Sequence, residues 1–201
     1  MGRHARKGHP GGGDAAHKLS LLTTLAYGAR VRTKEITTEG ITDVDAIDIQ
    51  FAKRFGYVFK PLAIAEEFAD GSLALRVHPA LIPSTRLIAN VEGAMNAVVV
   101  QGDAVGTTLY YGKGAGAEPT ASAVVADLVD ITRLHTADPD HRVPHLAFQP
   151  RSMAATPILP IDEVVTAYYV RLVVADKAGV LARITGILAE NDISIDAVLQ
   201  R

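Results

Sequence analysis

An acidic and a basic residue, Asp14 and Lys18, stand four positions apart near the start of a helical pattern. On a helix this spacing places the carboxylate and the ammonium group side by side. Partial burial would lower the pKa of the lysine, which could then act as a general acid and base while the aspartate binds an ammonium or hydroxyl group of a substrate. From the spacing alone we favour a simpler interpretation, in which Asp14 is a helix N-cap and the two residues form an exposed ion pair.

A glycine-rich segment, GKGAGA at 112–117, follows a strand pattern and precedes a helical one. It matches the G-x-G-x-x-[GA] fingerprint that binds the pyrophosphate of dinucleotides in a Rossmann βαβ unit. The context argues against a full Rossmann domain, because the helix leads into a proline-rich segment and not into a second parallel strand with an acidic end. Glycines without a Cβ would still let a phosphate or a nicotinamide ring approach the backbone.

Side chains of metal-binding types gather in the proline-rich stretch, at His135, Asp138, His141 and His145. Their spacing fits no helical or finger motif, so we disfavour a metal site. His78 stands inside a strand pattern next to Pro79 and is interpreted as structural. A nucleophile elbow and a P-loop are both missing from the sequence.

The elements that must position these groups follow from hydrophobic periodicity and turn residues. In chain order they are a helix from Asp14 to Gly28, a helix from about Asp43 to Phe55, two strands around Asp70-Gly71, two strands around Gly102-Asp103, and a helix of about four turns with Pro119 in its first turn. Residues 135–162 are predicted to be a linker. Beyond them, two β runs flank an amphipathic helix, which predicts one βαβ unit.

Composition narrows the class of protein. The 201 residues include 20 Lys and Arg against 22 Asp and Glu, and 48% are hydrophobic, which is typical of a globular protein without a general attraction for nucleic acid or acidic membranes. The absence of cysteine excludes disulfides, thiolate nucleophiles and cysteine-ligated metals. No apolar run is long enough to span a bilayer, and we expect a cytoplasmic protein. The basic, glycine-rich residues 1–13 are expected to form a disordered or foreign tail.

Five blocks of the sequence, in one order, resemble homoserine dehydrogenase. The resemblance is carried by GGDAAHK with KLSLLTTLAYG, ITDVDAIDIQFAKRFGYVFKPLAIA, ALRVHPALIP, ANVEGAMNAVVVQGDAVGTTLYYGKGAG and PTASAVVADLVDI. Each block is modestly specific, and five in register are highly specific. The last segment, YYVRLVVADKAGVLARITGILAENDISI, resembles the first half of an ACT regulatory domain.

The resemblance implies an α/β (α+β) fold. A catalytic and dimerisation domain with a mixed sheet and flanking helices would occupy residues 14–134, and a truncated ACT-like βαβ unit would occupy 163–201. The family is an oxidoreductase that interconverts L-aspartate 4-semialdehyde and L-homoserine with NADH or NADPH, in the route to threonine, methionine and isoleucine. The resemblance also implies a homodimer.

Residue roles follow from the same resemblance. Lys18 falls on the family's proton-donating lysine, and Asp14 falls on a residue that binds homoserine. Gly116 falls where the family contacts the nicotinamide cofactor, with Gly114 and Thr120 as its neighbours. In the ACT-like part, an amino-acid effector such as threonine would bind the loop from Asp176 to Val180, where Gly179 lets backbone amides approach a carboxylate.

The sequence also departs from the family pattern. His9 stands where the family signature has an acidic residue, and neither the family's amino-terminal nucleotide-binding domain nor the second half of the ACT module has a counterpart. We therefore expect no turnover from this chain alone, and the residue that separates NAD from NADP is not in the sequence. Two interpretations without catalysis stay open: an amino-acid-binding regulatory module, and a dimerisation scaffold.

Overall fold

A computed structural model describes residues 11–135, 144 and 147–200 of the chain. In chain order these residues form α1 (Gly13–Tyr27), β1 (Thr37–Thr38), α2 (Ala46–Arg54), β2 (Tyr57–Glu67), β3 (Leu73–Pro83), β4 (Met95–Gly102), β5 (Gly106–Lys113), α3 (Ala117–Leu134) and α4 (Val180–Glu190). The mixture of helices and strands confirms the α/β class expected from the sequence.

Strands β2 and β3 form the antiparallel hairpin predicted around Asp70-Gly71, with Tyr57 opposite Pro83 and Glu67 opposite Leu73. Gly71 has φ +80°, a left-handed conformation that glycine adopts without strain. The Asp70 carboxylate accepts hydrogen bonds from the backbone N–H and the hydroxyl of Ser72, at 2.9 and 2.6 Å. These turn contacts are local, which explains why the sequence could predict the position of the turn.

The hairpin becomes a three-stranded sheet because the short strand β1 pairs in parallel with β3, in the order β1-β3-β2. The two-residue strand gives no periodic signal, and the sequence did not predict it. Helix α1 covers one face of this sheet. The hydrophobic core forms there and includes the buried residues Ala16, Leu19, Ala29, Ile36, Leu73, Leu75 and Val77.

The predicted second strand pair and the helix after it occupy residues 95–134, which we call the arm. Strands β4 and β5 pair antiparallel in a two-stranded sheet, with Val99 opposite Leu109. Helix α3 has no buried residue, and its apolar side chains are exposed, Val125 by 57% and Leu128 by 58%. The arm therefore lacks an apolar partner within the described residues.

The described part of the predicted linker is packed onto the core. Ala154 forms a parallel bridge with Ala29, and Ile158 forms another with Leu73. Val164 is also buried. These contacts hold the chain against the sheet before it enters the ACT-like segment.

The predicted βαβ unit is formed only in part, because helix α4 is present but the β runs on either side of it are not paired as strands in the described residues. A β run becomes a strand only when a neighbour receives its backbone hydrogen bonds. The helix of the predicted βαβ unit is thus confirmed, and its two β runs have no paired neighbour within the described residues. None of the described helices is long and apolar enough to cross a membrane.

Candidate active site

Helix α1 begins at Gly13, with Gly12 as its N-cap in the left-handed conformation, φ +77°. A Cβ on Gly12 would lie 3.2 Å from Cγ1 of Val77, so glycine lets the helix start close to strand β3. Two predictions need correction. Gly12 and Gly13 belong to the helix start and not to the expected tail 1–13, of which residues 1–10 lie outside the described part. Asp14 is not the N-cap but lies in the first turn.

Asp14 and Lys18 form the predicted ion pair on α1, with Lys18 Nζ 2.8 Å from Asp14 Oδ2. Ala16 and Leu19 are buried in the core, whereas the side chains of Lys18 and Asp14 are 68% and 74% exposed. The partial burial of Lys18 on which a functional interpretation relied is therefore absent here. The pair presents an ammonium donor and a carboxylate acceptor to an incoming polar molecule.

The second predicted group lies where β5 leads into α3. Gly116 is the N-cap of α3 with φ +137°, a region that side chains rarely adopt. Its carbonyl oxygen accepts two hydrogen bonds from Thr120, from the hydroxyl at 2.7 Å and from the backbone N–H at 3.2 Å. Thr120 thus already donates its hydroxyl proton to the helix start.

Gly114 lacks space for a side chain, whereas Gly116 has an unusual backbone conformation. A Cβ on Gly114 would overlap the side-chain amide of Asn96, which lies against it from strand β4. The space at Gly114 is therefore filled by the protein itself, while Gly116 keeps an unusual backbone that only glycine tolerates. A Cβ on Gly116 would itself lie 3.2 Å from Cδ of Pro119, so the roles of these three residues toward a cofactor stay predictions.

The third predicted group, Asp176 to Gly179, precedes helix α4. Gly179 is the N-cap of α4 with φ +87°, and a Cβ there would meet nothing within 4 Å. Arg183 N–H donates to the Gly179 carbonyl at 3.0 Å, which starts the helix. The loop is exposed to solvent, and the Val180 N–H donates to the Lys177 carbonyl within it at 3.3 Å.

The three groups lie on three different elements: α1, the β5–α3 loop and the loop before α4. One cleft is lined by Thr24, Arg30, Val31, Arg32, Glu35, Ala155 and Thr156, and none of the predicted site residues lines it. Of the disfavoured metal cluster, only His135 is described, at the end of α3. Asp138, His141 and His145 lie outside the described residues.

Sequence reasoning missed a polar cluster at the start of α2. The Asp48 carboxylate accepts hydrogen bonds from Tyr169 and Arg171, which lie more than a hundred positions away. Burial of the phenol and the hydrogen bond to Asp48 raise the pKa of Tyr169 to about 12. Burial alone would raise the pKa of Asp48, but the hydrogen bonds from Arg171, Tyr169 and the Asp45 N–H hold it below the ordinary value. The polar residues at alternate positions in the apolar run 168–174 are the only local signal of this cluster.

Comparison with known proteins matches these elements to one family. The family model of homoserine dehydrogenase matches residues 11–129, more than half of the chain, and the model of the ACT domain matches residues 168–201. Homoserine dehydrogenases of Pseudomonas aeruginosa and Neisseria gonorrhoeae are 53% and 50% identical over 188 and 190 residues. These matches cover 94% of this chain but 43% of each relative, so the chain spans less than half the length of the curated relatives.

Solved structures agree with the family models. The homoserine dehydrogenase of Thiobacillus denitrificans matches with a TM-score of 0.85 and 56% identity, over 96% of this chain and 44% of that protein. The Staphylococcus aureus enzyme matches with a TM-score of 0.59 and 35% identity, over 66% of this chain and 33% of that one. These matches show that the chain belongs to the homoserine dehydrogenase family of oxidoreductases, with an ACT segment at residues 168–201.

Proposed function

We propose that this chain provides the substrate-binding and proton-donating part of an NAD(P)H-dependent homoserine dehydrogenase, which interconverts L-aspartate 4-semialdehyde and L-homoserine. The observation that carries the proposal is the exposed Asp14–Lys18 pair at the start of α1, within the segment that the family model matches. The same proposal includes a cytoplasmic location and a role in the synthesis of threonine, methionine and isoleucine.

The chemistry assigned to the pair follows from charge. When bound, the reduced nicotinamide supplies a hydride to the aldehyde carbon, which leaves the electron pair of the carbonyl bond on oxygen. Lys18 donates a hydrogen bond to that oxygen and then its proton, which yields the alcohol; in the reverse direction the neutral amine takes the proton back. Asp14 binds the ammonium group of the amino-acid substrate.

The pair needs a less polar surrounding than the described residues give it. Both side chains are largely exposed. A cation stabilises a developing alkoxide more strongly when water is excluded around it. We infer that a surface from outside the described residues covers α1 during catalysis, and that Gly116 is where the nicotinamide approaches the backbone of this chain, with Gly114 and Thr120 shaping the loop.

The test replaces the matching segment of the Pseudomonas aeruginosa enzyme with residues 11–200 of this chain and assays reduction of aspartate 4-semialdehyde. Lys18→Gln is expected to lower kcat by about 10²- to 10⁴-fold, the range typical of a lost proton donor. Asp14→Asn is expected to raise KM more than it lowers kcat. Lys53→Gln, on the exposed surface of α2, is the matched control.

Two outcomes would refute this assignment. One is a folded chimera without dehydrogenase activity. The other is a Lys18→Gln variant that keeps the parent kcat. Thermal unfolding of each variant separates a lost function from a lost fold.

A second copy of the chain is the partner we propose for the arm. The antiparallel pair exposes apolar residues on both faces, with Val98 opposite Tyr110 on one face and Val99 opposite Leu109 on the other. An exposed apolar sheet of this kind is typical of a subunit interface. Sedimentation should show a dimer. Val98→Asp should convert it to a monomer if the face with Val98 and Tyr110 forms the interface, and Val99→Asp should do so if the face with Val99 and Leu109 forms it. A parent chain that sediments as a monomer would contradict the proposal.

A regulatory function is favoured by the ACT match at residues 168–201 and by the open loop at Gly179. In this role an amino acid such as threonine binds with its carboxylate at the start of α4 and its ammonium group near Asp176. Titration calorimetry of the 201-residue chain with threonine should show binding that Asp176→Asn weakens. If millimolar threonine produces no heat of binding, the chain does not have this regulatory function.

A further inference from the structure

The start of α2 holds a buried carboxylate that joins two distant parts of the chain. Asp48 is 6% exposed. Its Oδ1 accepts hydrogen bonds from the Tyr169 hydroxyl at 2.8 Å and from Arg171 Nε at 2.6 Å. Arg171 Nη2 also reaches Asp45 Oδ2 at 2.5 Å. These contacts connect the part of the chain that matches homoserine dehydrogenase with the part that matches the ACT domain.

The two carboxylate oxygens of Asp48 have different tasks. Oδ2 accepts the backbone N–H of Asp45 at 3.0 Å, as the third residue of a capping box, and so helps to begin helix α2. That task needs only one oxygen. Oδ1 accepts from Tyr169 and from Arg171 Nε, and Arg171 Nη2 also reaches Oδ2 at 3.4 Å, which places a charge-assisted contact on a helix end that is already fixed.

Residues 168–171, which we call the docked segment, point their side chains alternately toward α2 and β2 and toward solvent. Tyr169 is half-buried, and its ring packs edge-on against Phe59 of strand β2 at a centroid distance of 6.1 Å. Its neighbours Tyr168 and Val170 are exposed by 75% and 69%. Tyr169 and Arg171 therefore contact α2 and β2, whereas Tyr168 and Val170 remain exposed.

The contacts that hold Tyr169 and Arg171 in place are mostly polar. Beyond the Phe59 ring, the contacts described at Tyr169 and Arg171 are hydrogen bonds and ion pairs to Asp45 and Asp48. A polar contact between two modules opens at a smaller cost than an apolar core, and its geometry defines one docked position. Arginine suits the task because its planar guanidinium group bridges both carboxylates at once.

We propose that Asp45, Asp48, Tyr169 and Arg171 form a latch, a docking contact that fixes the ACT segment on α2 and can release it without unfolding the sheet. The latch fixes the chain shortly before the loop from Asp176 to Val180, so the position of that loop relative to α2 depends on it. This inference goes beyond the proposed function, because it depends on docking and not on catalysis.

The test measures a distance in the full 201-residue chain. The chain has no cysteine, so Lys53→Cys and Lys177→Cys place two nitroxide labels only at these exposed positions, one on α2 and one beyond the docked segment. Samples are diluted with unlabelled chain so that pulsed electron resonance reports distances within one copy. A second label pair, Lys34→Cys with Lys53→Cys, monitors the body of the fold.

The parent chain should give one narrow 53–177 distance. Arg171→Gln and Tyr169→Phe leave the capping box intact and should broaden that distribution by about twofold or more, because the segment leaves its docked position. The 34–53 distribution should stay narrow. Arg171→Lys keeps the charge but not the bridge, and it should broaden the distribution by less than Arg171→Gln.

Arg133→Gln is the matched control, since Arg133 forms an exposed ion pair with Asp130 at 3.6 Å. It should leave the 53–177 distance unchanged. A broad distance in the parent chain, or a narrow one in both Arg171→Gln and Tyr169→Phe, would overturn the latch. If Arg171→Gln broadens both label pairs, the Arg171→Lys and Tyr169→Phe variants decide the question.

Discussion

Two helix starts in this chain each carry an aspartate paired with a cation, and they differ in almost everything else. At α1, Asp14 and Lys18 are four positions apart and mostly exposed. At α2, Asp48 is buried and meets Arg171 from 123 positions away. The exposed pair is available to an incoming molecule and adds little to stability, whereas the buried carboxylate is saturated with hydrogen bonds and adds stability. The same two kinds of group thus form an exposed pair at one helix start and a buried long-range contact at the other.

The largest expected difference is in the free energy of unfolding. Asp48→Asn removes a buried charge that accepts bonds from Tyr169 and Arg171, and it weakens the cap of α2, so we expect a loss of about 2–4 kcal/mol. Asp14→Asn, an identical change at the exposed pair, should cost less than about 0.5 kcal/mol. Urea unfolding followed by circular dichroism measures both. Equal losses of unfolding free energy in Asp48→Asn and Asp14→Asn would refute the expected difference between the two helix starts.

The next effect is on pH dependence. Because the folded-state pKa of Asp48 lies below its ordinary value of 3.8, its contribution to stability is complete above that pH and is lost as the pH falls through the lowered folded-state pKa. The stability difference between the parent chain and Asp48→Asn should therefore be constant near neutral pH and shrink in acid. Urea unfolding at a series of pH values from about 7 to about 2.5 measures it. A difference that grows in acid would mean that the carboxylate is not stabilised in the folded state.

The sequence was a good guide where the interactions are local. The spacing of Asp14 and Lys18 is a helical neighbour relation, and the Asp70-Gly71 turn joins two alternating patterns. Both were predicted and both are present. The start of α1 was misplaced by two residues, because the helix begins at a left-handed Gly12 whose lack of a Cβ leaves room for Val77, a residue distant in sequence.

Long-range docking is what the sequence did not reveal. Nothing near Asp48 indicates that Tyr169 and Arg171 will bind it, since the partners meet only after the chain has folded back. The β runs around α4 show the same limit, because their alternation is visible in the sequence while their pairing depends on a neighbouring strand. The roles of Lys18, Gly116 and Gly179 came from family resemblance, and they are still predictions.

The smallest expected effect on stability is that of Lys18→Gln, which completes the comparison of the two helix starts. Lys18→Gln should change the free energy of unfolding by less than about 0.5 kcal/mol, because the ammonium group is in water and its pair is screened. The same substitution should abolish most of the turnover of the chimera. Urea unfolding and the aldehyde-reduction assay on one protein sample test both. A residue that is dispensable for folding and required for turnover acts on the reacting atoms, whereas a loss of stability that parallels the loss of turnover would assign Lys18 to the structure of α1.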